Sequence, residues 1–148
     1  MVRSATIDDV PVLVALGERM HAESPRFSRL AFDAGKVQAL LASAVNAPHM
    51  LVLVAGRGSD IAGGFVGLIA EHWCSRDLIA TDLALFIDPA KRGGIYASRL
   101  VRAYLDWAEI KGAKVTQLGI TTGVNTLATE RLYEALGLAR CGSIYEVD

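Results

Sequence analysis

The stretch Leu83-Ala84-Leu85-Phe86-Ile87-Asp88-Pro89-Ala90-Lys91-Arg92-Gly93-Gly94-Ile95-Tyr96-Ala97-Ser98 runs from an apolar segment through a proline and two adjacent glycines into an amphipathic one. A strand that stops at Pro89 and turns through Gly93 and Gly94 into a helix leaves several backbone N–H groups without acceptors. The positive end of the helix dipole falls at the same place, and Arg92 stands beside it. Such a turn suits an anion, above all a phosphate or pyrophosphate.

The rest of the chain arranges itself around this turn. Downstream, Ala97, Leu100, Val101, Tyr104, Leu105 and Ala108 recur at helical spacing, with Arg99, Arg102, Asp106 and Glu109 on the other face and Gly112 as the stop. Val115 to Ile120 reads as a strand, Thr126 to Leu136 as a shorter helix closed by Gly137, and Gly142 to Val147 as a last strand. Upstream, Met50–Ala55 and Ile61–His72 form a hairpin about the turn Gly56-Arg57-Gly58-Ser59-Asp60, and Ile79–Ile87 is the next hairpin partner. Val2–Thr6 is a short first strand, and Thr6 with Asp9 resembles a helix start. Val10, Leu13, Val14, Leu16 and Met20 fit a helix ending before Pro25, and a second helix from about Asp33 to Val45 puts Val37, Leu40 and Leu41 on one face. The order is β-α-α-β-β-β-α-β-α-β, an α/β chain in which antiparallel hairpins lead into a βαβ crossover that contains the anion turn. No linker, repeat or low-complexity segment divides residues 1–148, which read as a single domain.

Composition narrows the function classes. Hydrophobic residues make up 52% and charged residues 21%, which argues for a compact globule. A formal charge of −1 gives no reason to expect nucleic acid or an anionic membrane as partner. The runs Met50–Ala55 and Ile61–Ala70 are too short and too Gly-rich to span a bilayer. Asp8 and Asp9 stand where a signal peptide needs apolar residues, so a cytoplasmic location is expected. Cys74 and Cys141 are too few for a disulfide framework, and His21, His49 and His72 lack ligand spacing, so no metal is expected.

The element order, with the turn after the fourth strand, resembles the GNAT superfamily of acyl-CoA-dependent N-acetyltransferases. The family's pyrophosphate loop reads Arg or Gln, two residues, Gly, one residue, then Gly or Ala, with a Pro three residues before the Arg. Pro89, Arg92 and Ala97 match this pattern. Ile95 stands where the family normally has Gly, and a β-branched residue resists positive φ. Gly93 and Gly94 then supply the flexibility, as in the Arg-Gly-Gly loop of some phage-associated members. The run Glu130-Arg131-Leu132-Tyr133-Glu134-Ala135-Leu136-Gly137-Leu138 resembles the family's last-helix motif, with Leu138 in place of Phe. Where the family commonly has an Asn seven residues before this Tyr, the chain has Thr126 instead, with Asn125 one place earlier.

The resemblance implies a mixed, mostly antiparallel central sheet flanked by about four helices. It also implies transfer of an acetyl group from acetyl-CoA to a primary amine on a small molecule or peptide. The implied cofactor contacts are Leu85, Phe86 and Ile87 on a strand splayed from its neighbour, Arg92, Gly93, Gly94, Ile95, Tyr96, Ala97 and Ser98 in the loop and helix start, and Asn125. Tyr133 is the implied general acid for the departing thiolate, a phenol having an ordinary pKa of about 10. A free alkylammonium has a pKa of about 10.4 and needs a base. Asp82, Glu71 and His72 all fall near the acceptor entrance, Asp82 being favoured by its apolar neighbours. Met20, Glu23, Phe27, Phe32 and Trp73 are the expected liners of the acceptor pocket, and Glu23 could attract a cationic amine. Dimers are common in the family, and the final strand offers an edge for pairing. Two other readings stay open on the residues alone: an acyl-CoA-binding sensor without turnover, and a phosphate-site α/β protein outside the family.

Overall fold

In the computed structural model, which describes residues 1–147, five strands form one sheet in the order β1-β2-β3-β4-β5. The strands are β1 (Val2–Ser4), β2 (Met50–Arg57), β3 (Asp60–Glu71), β4 (Leu78–Ile87) and β5 (Val115–Thr116). All neighbouring pairs are antiparallel except β4 and β5, which run parallel. Four α-helices accompany them: α1 (Val10–Glu23), α2 (Ala34–Ala44), α3 (Tyr96–Ile110) and α4 (Thr126–Ala135). The mixed, mostly antiparallel sheet with four helices is the expected fold.

Strand β2 explains why both faces of the sheet are covered. Its buried run Leu51–Ala55 alternates, so Val52 and Val54 join Val10, Leu13, Leu16, Leu41 and Ala44 of α1 and α2 on one side. Leu51, Leu53 and Ala55 join Phe65, Leu100, Tyr104 and Ala108 beneath α3 on the other. Gly64 lets α1 approach closely, because a Cβ there would come within 2.7 Å of Leu13 Cδ2. Asp9 supports the entry to α1, accepting from the Thr6 backbone N–H at 2.8 Å and holding Arg3 at 2.7 and 2.9 Å.

Strand β4 contains an irregularity that no alternation in Leu83-Ala84-Leu85-Phe86-Ile87 reveals. Gly67 pairs with Asp82 and Val66 with Ala84, leaving Leu83 as an extra residue. The inward side chains change parity there. Leu78 and Ala80 face α3 before it and Leu85 and Ile87 after it, while Ala84 and Phe86 turn toward α1.

Three expectations need correction. The strand expected over Val115–Ile120 pairs only at Val115 and Thr116, because its continuation diverges from β4. The last strand expected at Gly142–Val147 does not form. The segment joins no ladder of the sheet; Glu146 is held instead by Arg26 and Arg29, and Tyr145 and Val147 are more than nine-tenths exposed. Leu40 points to solvent, while Leu41 of the same helix is buried.

Candidate functional site

The site begins where the parallel pairing of β4 and β5 fails. Gln117 N–H still donates to the Ala80 carbonyl at 3.0 Å. The next rungs of a parallel ladder would join Asp82 N–H to the Gln117 carbonyl and Gly119 N–H to the Asp82 carbonyl. Side chains take these places instead. Tyr104 Oη donates to the Gln117 carbonyl at 2.8 Å, and Gly119 N–H donates to Asp82 Oδ1 at 3.0 Å. Tyr133 Oη, carried in by α4, donates to the Gly119 carbonyl at 3.3 Å. The diverging backbone is thus satisfied without closing the gap.

The gap opens into a cleft of about 380 Å³. Asp82, Leu83, Leu85, Phe86 and Ile87 line it from β4, and Gly119 and Tyr133 line the opposite wall. Arg92, Gly93, Gly94, Tyr96, Ala97 and Ser98 form one end, while Asn125, Met20 and Phe27 complete it.

Two groups in the cleft are electrostatically displaced. Burial pushes the Asp82 carboxyl up from its ordinary value, although Gly119 N–H opposes the shift. Burial also raises the Tyr133 phenol, and the negative charge of Asp82 adds to the effect. Both groups meet one residue, Asp82 at the Gly119 N–H and Tyr133 at its carbonyl.

At the far end, Asp88 stops β4 by accepting from Ala90 N–H at 3.1 Å, starting a 3-10 turn over Pro89–Lys91. Gly93 takes the left-handed conformation at φ +84°, and Ile95 lies at φ −94°, ψ −4° as the residue before α3. The conformation Ile95 would resist is therefore taken up by a glycine two places earlier. The first turn of α3 leaves the N–H groups of Tyr96, Ala97 and Ser98 without intrahelical acceptors. A Cβ added at Gly93 or Gly94 would meet nothing within 4 Å, so the backbone is open to an approaching group. The Arg92 guanidinium donates to Glu23 Oε1 and Oε2 at 2.5 and 2.7 Å, and its Nε donates to the Ile87 carbonyl at 3.2 Å.

Several expected site residues lie elsewhere. Glu71, at the end of β3, is exposed and sits 3.9 Å from Arg76. His72 lies beside Cys74, with Nδ1 and Sγ 2.9 Å apart, in the exposed turn that also carries Trp73, itself 91% exposed. Phe32 packs against the His21 ring at 5.3 Å between centroids. None of these four lines the cleft, nor does Ile95. Glu23 stands at its rim through Arg92.

The residues that the sequence reading passed over are Gly119, Thr121 and Thr122 on the diverging continuation of β5, and Ser24 opposite them. Ser24 is fully buried; its Oγ donates to the Thr122 carbonyl at 2.5 Å and accepts from Phe27 N–H at 3.0 Å. The signal available was Ser24-Pro25 directly after a helix, which reads as mere punctuation. Ser24→Ala should lower stability by about 1–3 kcal/mol, since it strands two half-buried partners, the Thr122 carbonyl and the Phe27 N–H; urea denaturation at constant m-value measures this.

Among the described residues no group of His, Cys, Asp and Glu could hold a metal ion, and no helix is long and apolar enough to cross a membrane.

The model of the Acetyltransferase (GNAT) family matches residues 18–138. No curated protein sequence matches the chain. Among solved structures, a putative acetyltransferase from Agrobacterium tumefaciens is similar at TM-score 0.78 and 19% identity, over 100% of this chain and 99% of that one. An aminoglycoside N-acetyltransferase in complex with CoA is similar at TM-score 0.79 and 14% identity, over 100% of this chain and 93% of that one. An aminoglycoside acetyltransferase from an uncultured soil sample, in complex with sisomicin, gives TM-score 0.70 and 18% identity over 99% and 95%.

Proposed function

This chain belongs to the GNAT acetyltransferase family, and from that premise we propose that it transfers the acetyl group of acetyl-CoA to a primary amine by direct attack on the thioester. One observation carries the reading. A half-buried carboxylate and a buried phenol, Asp82 and Tyr133, meet at one residue, Gly119, in a cleft whose other end is the turn at Arg92–Gly94.

The residues present fit the cofactor. The free N–H groups at the start of α3, the open backbone at Gly93 and Gly94, and Arg92 form a cradle for a pyrophosphate. The edge of β4 near Leu85, Phe86 and Ile87, freed by the splay, offers N–H and carbonyl groups to the pantetheine arm, with Asn125 on the opposite wall. When bound, acetyl-CoA supplies an acyl group activated as a thioester.

Asp82 Oδ1 would stay with Gly119 N–H while Oδ2 takes one proton from the acceptor's ammonium, leaving a neutral amine to attack. Its raised pKa brings the carboxyl closer to the operating pH, as a general base requires. Tyr133 Oη would supply the proton to the departing thiolate and be restored by the second proton that the acceptor nitrogen sheds as the amide forms, while the proton on Asp82 returns to solvent; its raised pKa keeps the resting phenol protonated at neutral pH. Backbone N–H groups of the bulged part of β4 polarise the acyl carbonyl. Met20 and Phe27 form the acceptor wall.

Release of free thiol from acetyl-CoA, measured against a panel of polyamines, aminoglycosides and peptide amines, tests the reading. The expected result is amine-dependent release; CoA binding with no release from any amine would leave a binding module. Arg92→Ala should weaken CoA by about tenfold or more, the worth of a charge-assisted phosphate contact. Titration calorimetry with CoA reads this directly, and unchanged affinity would remove Arg92 from the pyrophosphate site.

A further inference from the structure

Residues Glu23–Arg26 lie across the mouth of the splay and are tied to both of its sides, but unequally. On the β5 side the attachment is internal. Ser24 is buried on the Thr122 carbonyl, Arg26 donates to the Thr121 carbonyl, and Gly123 lies so close to Pro25 that a Cβ would come within 2.9 Å of Cγ. On the β4 side a single ion pair does the work, Glu23 with Arg92, whose side chains are 31% and 28% exposed. Both cations of the anion turn are already neutralised, since Lys91 Nζ lies 2.5 Å from Asp60 Oδ1. Asp88, paired at 3.5 Å with Arg19, adds further negative charge beside Arg92.

We infer that Arg92 is exchanged between Glu23 and the cofactor's pyrophosphate, and that cofactor binding thereby uncovers the Glu23 carboxylate as the recognition group for a cationic acceptor. The inference rests on the reading of the Arg92 turn as the cofactor site. Glu23 takes one N–H from each terminal nitrogen of Arg92 and Ile87 takes the Nε–H, so the two N–H groups left over point apart and a phosphate can grip the guanidinium with two parallel bonds only by displacing the carboxylate. A pyrophosphate carries more charge than one carboxylate and also collects the free N–H groups of α3. Glu23 lies one turn beyond Met20 and four residues before Phe27, both on the cleft wall. Once released, its charge therefore faces the acceptor side. Before the cofactor arrives this rim is electrically balanced and does not attract an ammonium; afterwards it carries an unpaired negative charge. Because coupling is reciprocal, a cationic acceptor at Glu23 in turn tightens the cofactor.

Glu23→Gln separates this exchange from a merely structural pin. Titrated with CoA, the variant should bind about two- to fivefold tighter than the wild-type protein, the worth of releasing Arg92 from a partly exposed ion pair. With the best acceptor of the amine panel, the loss should fall mainly on KM for the amine rather than on kcat. A structural pin predicts the opposite on the first measurement, with CoA binding unchanged or weaker and the melting temperature lower. Unchanged or weaker CoA binding, or an unchanged KM for the amine, would overturn the exchange. Absence of CoA binding by the wild-type protein would instead overturn the cofactor reading on which it rests.

Discussion

Tyr133→Phe lowers kcat for acetyl transfer by about 10²- to 10⁴-fold, the range lost with a positioned general acid, and leaves CoA affinity near the wild-type value. The expectation follows from where the hydroxyl sits. The ring is buried, so phenylalanine fills the same space, and the only bond forfeited is a long one of 3.3 Å to the Gly119 carbonyl. The structure is thus little disturbed while the proton source for the thiolate disappears. Burial and the charge of Asp82 both oppose the phenolate, so Tyr133 stays protonated through neutral pH and adds no alkaline limb there. Thiol release at saturating acetyl-CoA and amine measures the loss. Wild-type turnover in the variant would make Tyr133 a packing residue.

Asp82→Asn should separate activity from stability in opposite directions. Asparagine Oδ1 still accepts from Gly119 N–H, so the splay is kept, but no proton can be taken from the amine; turnover should fall by about 10²- to 10⁴-fold. For stability, the Asp82 pKa is higher in the folded chain than in the unfolded one. Its favourable contribution is therefore complete below the ordinary carboxyl value of about 3.9 and is lost as pH rises through the folded value. At neutral pH the ionised, half-buried group costs stability, and the neutral amide does not. The variant should melt above the wild-type protein at pH 7, with the gap closing as pH falls through the folded Asp82 pKa. Wild-type kcat/KM should fall over that same window, which lies above the ordinary value of an Asp carboxyl. Melting curves and rate profiles from the same buffers test both, and an active variant would remove Asp82 as the base.

The hairpins, the helix faces and the glycine turn between β4 and α3 were legible because each is a local pattern: Gly58 in a turn, apolar residues at helical spacing, Pro89 and Gly93 between strand and helix. Even the displacement of the flexible position from Ile95 to Gly93 could be read, since only one of the two tolerates positive φ. What the chain concealed were features made by absence of contact. Gly119 carries no side chain to mark it, yet it joins Asp82 to Tyr133. Gly142–Val147 has strand composition, but it joins no ladder of the sheet. Glu71 and Trp73 stand close to Asp82 in the sequence order of a hairpin, but the exposed turn carries them away from the cleft. Glu23 and Arg92 were both noted for their charges; that each was the other's partner, 69 residues apart, was visible only in three dimensions.

The extra residue at Leu83 has a consequence for how this protein can change over generations. Before it, β4 is in phase with the chemistry, placing Asp82 beside Gly119; after it, the strand is in the opposite phase, placing Phe86 in the packing beneath α1. Substitution at any of these positions alters one side chain at a time. Removing one residue between Asp82 and Phe86 merges the two phases and must turn either the carboxylate or the phenylalanine to the wrong side of the sheet. The strand can vary in composition, but its length is fixed.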